Sequence, residues 1–209
     1  MNTPTSVDHE PVEVPLKDAA WAALLAWLVP GAGHFYQRRY AKGAIFSLCI
    51  LGTFFTGLVL GDGQVVYASW RPNDYRWQYF CQLGVGLPAV PAIVQNIKTR
   101  QGADPLFPNR AFIIDDAGVV SAEVELEIPR ARKTAYYAPP PGPIPTNDRC
   151  VLGIWHEEMQ GLFEIGTLYT VVAGLLNLLA VYDAFAGPAF PGEDKKSEED
   201  DEADEAHDS

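Results

Sequence analysis

The chain has 209 residues, of which 48% are hydrophobic and 20% charged, and its formal net charge is −12. Residues 193–209 hold ten acidic residues against Lys195 and Lys196, so this tail supplies −8 of that charge. An acidic chain without a basic patch cannot release counterions from phosphates, which excludes nucleic acid as a partner. Three scattered cysteines without a CxxC pair predict neither a structural disulfide nor a metal site.

Four apolar segments, 19–36, 43–61, 79–97 and 165–182, approach the roughly 20 residues that a helix needs to cross a bilayer. Buried helices of soluble proteins average about 11–12 residues, which is shorter than these four segments. In addition, the polar remainder of this chain is too short to cover four apolar segments of 18 or more residues. The sequence therefore predicts an all-α integral membrane protein with about four transmembrane helices and the lipid bilayer as its partner. An acidic leader, residues 1–18, precedes them and does not fit a cleavable signal peptide.

The first two apolar segments predict a helical hairpin over residues 19–61. The first segment is interrupted at Pro30-Gly31-Ala32-Gly33, and a short basic link joins it to the second. The motif that we assign to this hairpin consists of Pro30, Gly31, Gly33, His34, Phe35, Tyr36, Arg38, Arg39, Lys42 and Gly43. An ionisable His34 at membrane depth suggests a function. A structural role, hydrogen bonding to a carbonyl freed at the Gly-rich break, is the favoured alternative.

The second and third apolar segments are joined by an aromatic-rich link, residues 62–78, typical of the membrane interface. Gly57 and Gly61 form a GxxxG pattern, which predicts close helix packing. The third transmembrane helix is expected over 79–97, although it contains Gln82, Gln95 and two prolines.

Residues 98–164 are polar enough to predict an insertion outside the membrane. Ala111 to Ile114, an acidic turn and the run VVSAEVELEI predict a β-hairpin. The alternating glutamates of its second strand indicate a solvated face, with a calcium-binding surface as the less favoured interpretation. YYAPPPGPIP predicts a stiff extended linker, in preference to a PxxP ligand, and residues 150–164 predict an amphipathic helix at the interface.

The fourth transmembrane helix is expected over 165–187, followed by a disordered acidic tail, residues 188–209. It contains two intramembrane polar residues, Asn177 and Asp183. Asp183 either ends the helix at the headgroups or pairs with His34 or Arg38 of the hairpin.

The basic residues of the first link suggest an orientation. Lys and Arg near the ends of spans favour the cytoplasmic side. With four spans, Arg38, Arg39 and Lys42 would lie in the cytoplasm, and both termini outside it. This argument holds only if the first and third segments both span.

No catalytic motif is recognisable. The chain contains no GxSxG, HExxH or P-loop sequence. We therefore expect no catalytic, cofactor-binding or metal-binding residues, and no enzymatic activity.

The run LLAWLVPGAGHFYQRRYAKGAIF resembles the TM-two domain, a two-helix membrane hairpin, over roughly residues 20–60. Gln37-Arg38-Arg39 replaces the usual Leu-Gly-Arg-like turn, and the Asp-containing end of the second helix is missing. A similar ending, GLLNLLAVYDAFAGP, closes the fourth segment instead. This combination is similar to uncharacterised bacterial multi-pass proteins of about this length, which implies membrane integration and no assigned chemistry.

These features favour a non-catalytic scaffold or accessory subunit of a membrane complex, bound to another membrane protein or to a second copy of itself. The alternative function is a small transporter or channel component. Its polar path would need His34, Gln82, Gln95 and Asn177.

Overall fold

The computed structural model describes residues 18–145 and 149–187. The predicted acidic leader, up to residue 17, and the predicted disordered tail, residues 188–209, lie outside these ranges. The helices are α1 Ala19–Leu28, α2 Ala32–Tyr36, α3 Tyr40–Leu60, α4 Gln78–Gln82, α5 Pro91–Arg100, α6 Val151–Met159 and α7 Leu162–Ala186. The strands are β1 Trp70–Arg71, β2 Asp74–Tyr75, β3 Pro108–Ile114, β4 Val120–Val124 and β5 Arg132–Ala135.

The two longest helices, α3 and α7, pack against each other and form the frame of the fold. They meet at glycines: a Cβ added to Gly166 would lie 2.5 Å from the Gly57 carbonyl oxygen and 3.0 Å from the Gly61 nitrogen. The predicted packing residues Gly57 and Gly61 therefore lie inside this helix pair. We call the end of the pair near residues 37–39 the link end, and the end near Gly61 and Leu162 the cap end.

Within the described residues, only α3 and α7 are long and apolar enough to cross a membrane. The prediction of about four transmembrane helices is therefore wrong, and the predicted fourth helix corresponds to α7. The other two apolar segments are broken for local reasons.

The first apolar segment turns back on itself. Helix α1 ends at Leu28, and Gly31, with a φ of 84°, reverses the chain into the short α2. The Ser47 hydroxyl of α3 donates to the Pro30 carbonyl freed at this turn, at 2.7 Å. A glycine at position 33 lets α2 lie directly against the backbone of Ala22 in α1. Both ends of this first hairpin, α1–α2, therefore lie at the link end.

The third apolar segment also turns back. The predicted helix over 79–97 is instead α4, two 3-10 turns at Leu83–Val85 and Leu87–Ala89, and α5. Gly86, with a φ of 84°, reverses the chain. It lies so close to α1 that a Cβ added to it would overlap the Trp27 carbonyl oxygen. Pro88 and Pro91 cannot supply the backbone donors of a continuous helix. This second hairpin, α4–α5, enters and leaves at the cap end.

A small domain, which we call the cap, covers the cap end of the helix pair. It lies between α3 and α7 in the chain and contains the five strands and α6. The predicted β-hairpin is confirmed: β3 and β4 are antiparallel, with Phe112 opposite Glu123. A third strand, β5, which the sequence did not predict, pairs with the other edge of β3. Within the predicted amphipathic helix, residues 150–164, the structure has α6 at Val151–Met159, which buries Val151, Ile154 and Trp155, and residues 162–164 begin α7.

Polar contacts hold the cap together. Arg110 of β3 bonds to Glu123 at 2.8 Å on β4 and to Glu158 at 2.6 Å on α6. The hydrogen bond from Arg110 lowers the pKa of the Glu123 carboxyl. At least this one of the three alternating glutamates is thus paired, not simply solvated. The predicted Pro-rich linker does not project freely, because Arg71 donates to the carbonyls of Pro140 at 2.6 Å and Gly142 at 2.7 Å.

We predict that Gly166→Ala destabilises the protein, because its methyl group would force α3 and α7 apart. A matched control is Gly52→Ala on α3, where an added Cβ meets nothing within 4 Å. Thermal unfolding in detergent should show a Tm several degrees lower for Gly166→Ala and little change for Gly52→Ala. Equal Tm values for the two variants would contradict the close crossing.

Candidate functional site: buried polar residues along α7

Helix α7 carries buried polar side chains at three levels between the cap end and the link end. They are Thr167 and Thr170, then Asn177, then Asp183, which is partly exposed. Because each level bonds to a different part of the chain, we describe them in turn.

At the link end, Asp183 binds the first hairpin. Its Oδ2 lies 2.8 Å from His34 Nε2 and 3.4 Å from an Arg39 guanidinium nitrogen. His34 is fully buried, with its ring 4.8 Å from that of Phe46, and the Arg39 side chain is only 10% exposed. Gln37 adds a bond to the Ala184 carbonyl at 2.7 Å. This carboxylate thus fixes the hairpin to the end of α7.

At the middle level, Asn177 joins the two hairpins. Its fully buried amide nitrogen lies 3.2 Å from the Ala26 carbonyl and 3.4 Å from the Trp27 carbonyl at the end of α1. The same nitrogen lies 3.0 Å from the Gly84 carbonyl, in the 3-10 turn after α4. Carbonyls at helix C-termini have no partner within their own helix. One side chain therefore serves the free carbonyls of both chain reversals.

Toward the cap end, α7 binds the second hairpin through hydroxyl groups. Gln82 of α4 donates to Thr170 at 2.8 Å and to the Val65 carbonyl at 3.1 Å. Arg76 donates to Thr167 at 2.8 Å and to the same carbonyl at 3.0 Å. Its guanidinium also stacks on the rings of Tyr67 and Phe163. Burial raises the pKa of Tyr67, which bonds to Asp74 inside the cap.

Sequence analysis identified part of this arrangement. The structure brings His34 and Asp183 together, but the basic partner is Arg39, whereas Arg38 is exposed. Among the other motif residues, Gly31 and Gly33 form the turn before His34, and Phe35 lies against Gly43. Thr167, Thr170 and Arg76 were not singled out, because threonine in an apolar helix gives no distinctive signal. The spacing of Thr167, Thr170 and Asn177 places all three on one face of α7, a pattern that could have indicated the role of the two threonines.

The four residues expected to line a polar path do not form a continuous path through the protein. They are His34, Gln82, Gln95 and Asn177. Gln95 of α5 bonds instead to the backbone of Leu106 and Tyr136 in the cap. Gln82, Asn177 and His34 each bind at a separate level, and the fully buried Ala180 lies between Asn177 and Asp183 along α7. Within the described ranges, no three His, Cys, Asp or Glu side chains are close enough to hold a metal ion.

We predict that Asn177→Leu destabilises the protein by about 2–4 kcal/mol, because the buried Ala26 and Gly84 carbonyls lose their donor. Leu179→Ala is the control, since Leu179 is exposed on the same helix. Denaturant unfolding in detergent would measure the difference. If Asn177→Leu unfolds like the control, the amide does not hold the hairpins together.

No curated protein and no solved structure matches the chain. One family model, described as a family of unknown function (DUF6677), matches residues 21–197. The match extends well beyond the TM-two-like hairpin: it includes both hairpins, the whole cap and both long helices. The chain therefore belongs to the DUF6677 family of unknown function.

Proposed function

We propose that the protein is a non-catalytic accessory subunit of a membrane complex, anchored by α3 and α7. The observation that carries this proposal is the exposure of apolar side chains on both helices. Only 22% of the most apolar window of α3 and 39% of that of α7 is buried. The core helix of a soluble protein would be mostly buried, whereas lipid is a suitable solvent for these faces.

The dimensions agree with a bilayer. Helix α7 has 25 residues and so is about 37 Å long, enough for the roughly 30 Å hydrocarbon core. Asn177 lies about 22 Å from its start, near the middle of such a layer. The two hairpins would then be re-entrant segments that enter from opposite sides and meet near the midplane. Irregular backbone at that depth needs protein partners, and Asn177 supplies them.

A two-span topology changes the orientation expected from the sequence. Residues 18 and 187 lie at the link end, on the same side as the basic link that contains Arg38, Arg39 and Lys42. The four-span expectation, in which the termini and this link lie on opposite sides of the membrane, therefore no longer follows. The cap-end insertion between the spans is longer than about 60 residues, a length at which loops are translocated largely regardless of charge. The short basic link then decides the orientation of the protein in the membrane. It favours a link end and termini in the cytoplasm and a cap outside it.

Subunit packing is favoured over transport because the buried amides of Gln82 and Asn177 bond to backbone carbonyls instead of lining a path. The meeting of two re-entrant segments is the observation that favours transport, since transporters bind substrates at such points. Here, however, the second hairpin lies directly against the backbone of α1 at Gly86 and against the backbone of α7 at Gly84, which leaves little space for a substrate.

The outer face of α3 is the surface that suits a partner helix. Ile45, Leu48, Phe55 and Val59 lie along it at helical spacing, with Leu48 77% and Val59 78% exposed. Gly52 lies in the middle of this face and has open space in front of it. Small residues allow close approach between membrane helices, whereas Gly57 and Gly61 already face α7.

We predict that single cysteines will label from opposite sides of the membrane. In a background without Cys49, Cys81 and Cys150, Asp116→Cys in the β3–β4 turn should react with an impermeant maleimide in intact cells. Arg38→Cys should react only after permeabilisation. Labelling of both on one side would refute two spans, and the reverse pattern would refute the orientation.

We also predict that a photo-crosslinking residue at Leu48 captures a protein partner of discrete mass in the native membrane. The same residue at Phe107, exposed on the cap, is the control outside the spans. Adding Gly52→Leu should abolish the Leu48 adduct without lowering Tm, because the partner helix is pushed away. Reaction with lipid alone would contradict the subunit proposal, and an adduct of twice the chain mass would identify a second copy as the partner.

A further inference from the structure

A concave pocket of about 190 Å³ lies on the cap. It is formed by the C-terminal end of α5 with the loop after it, the start of β5, and the Pro-rich segment 139–142. Its depth comes from the Pro-rich segment, which Arg71 holds against the cap through two carbonyls. The pocket is distinct from the buried polar residues of α7 and from the outer face of α3.

Positive charge is concentrated around this pocket. Arg71, Arg100, Arg132 and Lys133 line it, and Asp104 is the one acidic residue among the lining residues. This local balance is opposite to that of the whole chain, whose formal net charge is −12. A concave surface lined by one sign of charge concentrates ions of the other sign.

Two of the four cations have no partner of their own. Lys133 bonds to Asp104 at 2.6 Å, and Arg71 bonds to Asp74 at 3.0 Å. The side chains of Arg100 and Arg132, by contrast, are exposed and form no hydrogen bond or ion pair with any residue in 18–145 or 149–187. Their planar guanidinium groups match the oxygen atoms of phosphates and carboxylates in a bidentate manner.

The size of the pocket limits the ligand. Sites for drug-sized molecules occupy about 300–1,000 Å³, so this pocket suits a small ligand or the charged end of a larger one. We propose that the cap binds a small soluble oxyanion of the phosphate class, held by Arg100 and Arg132. This site does not depend on the accessory-subunit proposal, because none of its lining residues belongs to α3 or α7.

Isothermal titration calorimetry of the full chain with inorganic phosphate tests the proposal, with the protein in phosphatidylcholine nanodiscs at constant ionic strength. Arg100→Ala and Arg132→Ala should each weaken phosphate binding at least tenfold. Arg130→Ala is the matched control, since Arg130 is exposed nearby but does not line the pocket, and its Kd should stay within twofold. Equal responses to phosphate and chloride, or unchanged binding by the Arg100→Ala/Arg132→Ala double variant, would overturn the proposal.

A second arm distinguishes soluble phosphate from lipid phosphate. If the ligand is soluble, nanodiscs that contain phosphatidic acid leave the Kd for inorganic phosphate unchanged. Weaker apparent binding in those discs would show that a lipid headgroup competes, and would overturn the assignment to a soluble ligand. The Tm of each variant without phosphate should equal that of the wild type.

Discussion

The fold depends on one constraint: two chain reversals leave carbonyl groups without helical partners in apolar surroundings. The ends of α1 and of the 3-10 turn after α4 both direct such carbonyls toward α7, where the Asn177 amide donates to them. An unpaired buried carbonyl is costly, and the absence of competing water in an apolar layer increases that cost. The remaining contacts of α7, through Asp183 and the two threonines, hold the hairpins in the position that this bonding requires.

The long elements of the fold follow from the sequence, and the short ones do not. Helices α3 and α7 were predictable because their apolar runs contain no proline, and the β3–β4 hairpin because its residues alternate around an acidic turn. The first and third apolar segments are of similar length but contain Pro30 with Gly31 and Gly86 with Pro88. Length and hydropathy cannot distinguish a span interrupted by a kink from a segment that reverses, because the difference lies in the φ of Gly31 and Gly86.

The polar contacts were predictable only where the residue type is unusual for its surroundings. His34 and Asp183 are conspicuous in apolar sequence, so their pairing was among the expectations. The choice of Arg39 over its neighbour Arg38 depends on the turn, in which Arg38 adopts a φ of 63° and is exposed. The cationic pocket could not be read from the sequence, because residues 71, 100, 132 and 133 are brought together by β5 and the Pro-rich segment.

The bonds between Asn177 and the first hairpin also have a consequence for biosynthesis. The two bonding partners are about 150 residues apart in the chain, and ribosomes add about 5–20 residues per second. The first hairpin therefore exists for about 8–30 seconds before its donor is synthesised. During that interval its free carbonyls must be satisfied by water or by another protein, so the packing of the hairpin is completed only when the last helix arrives.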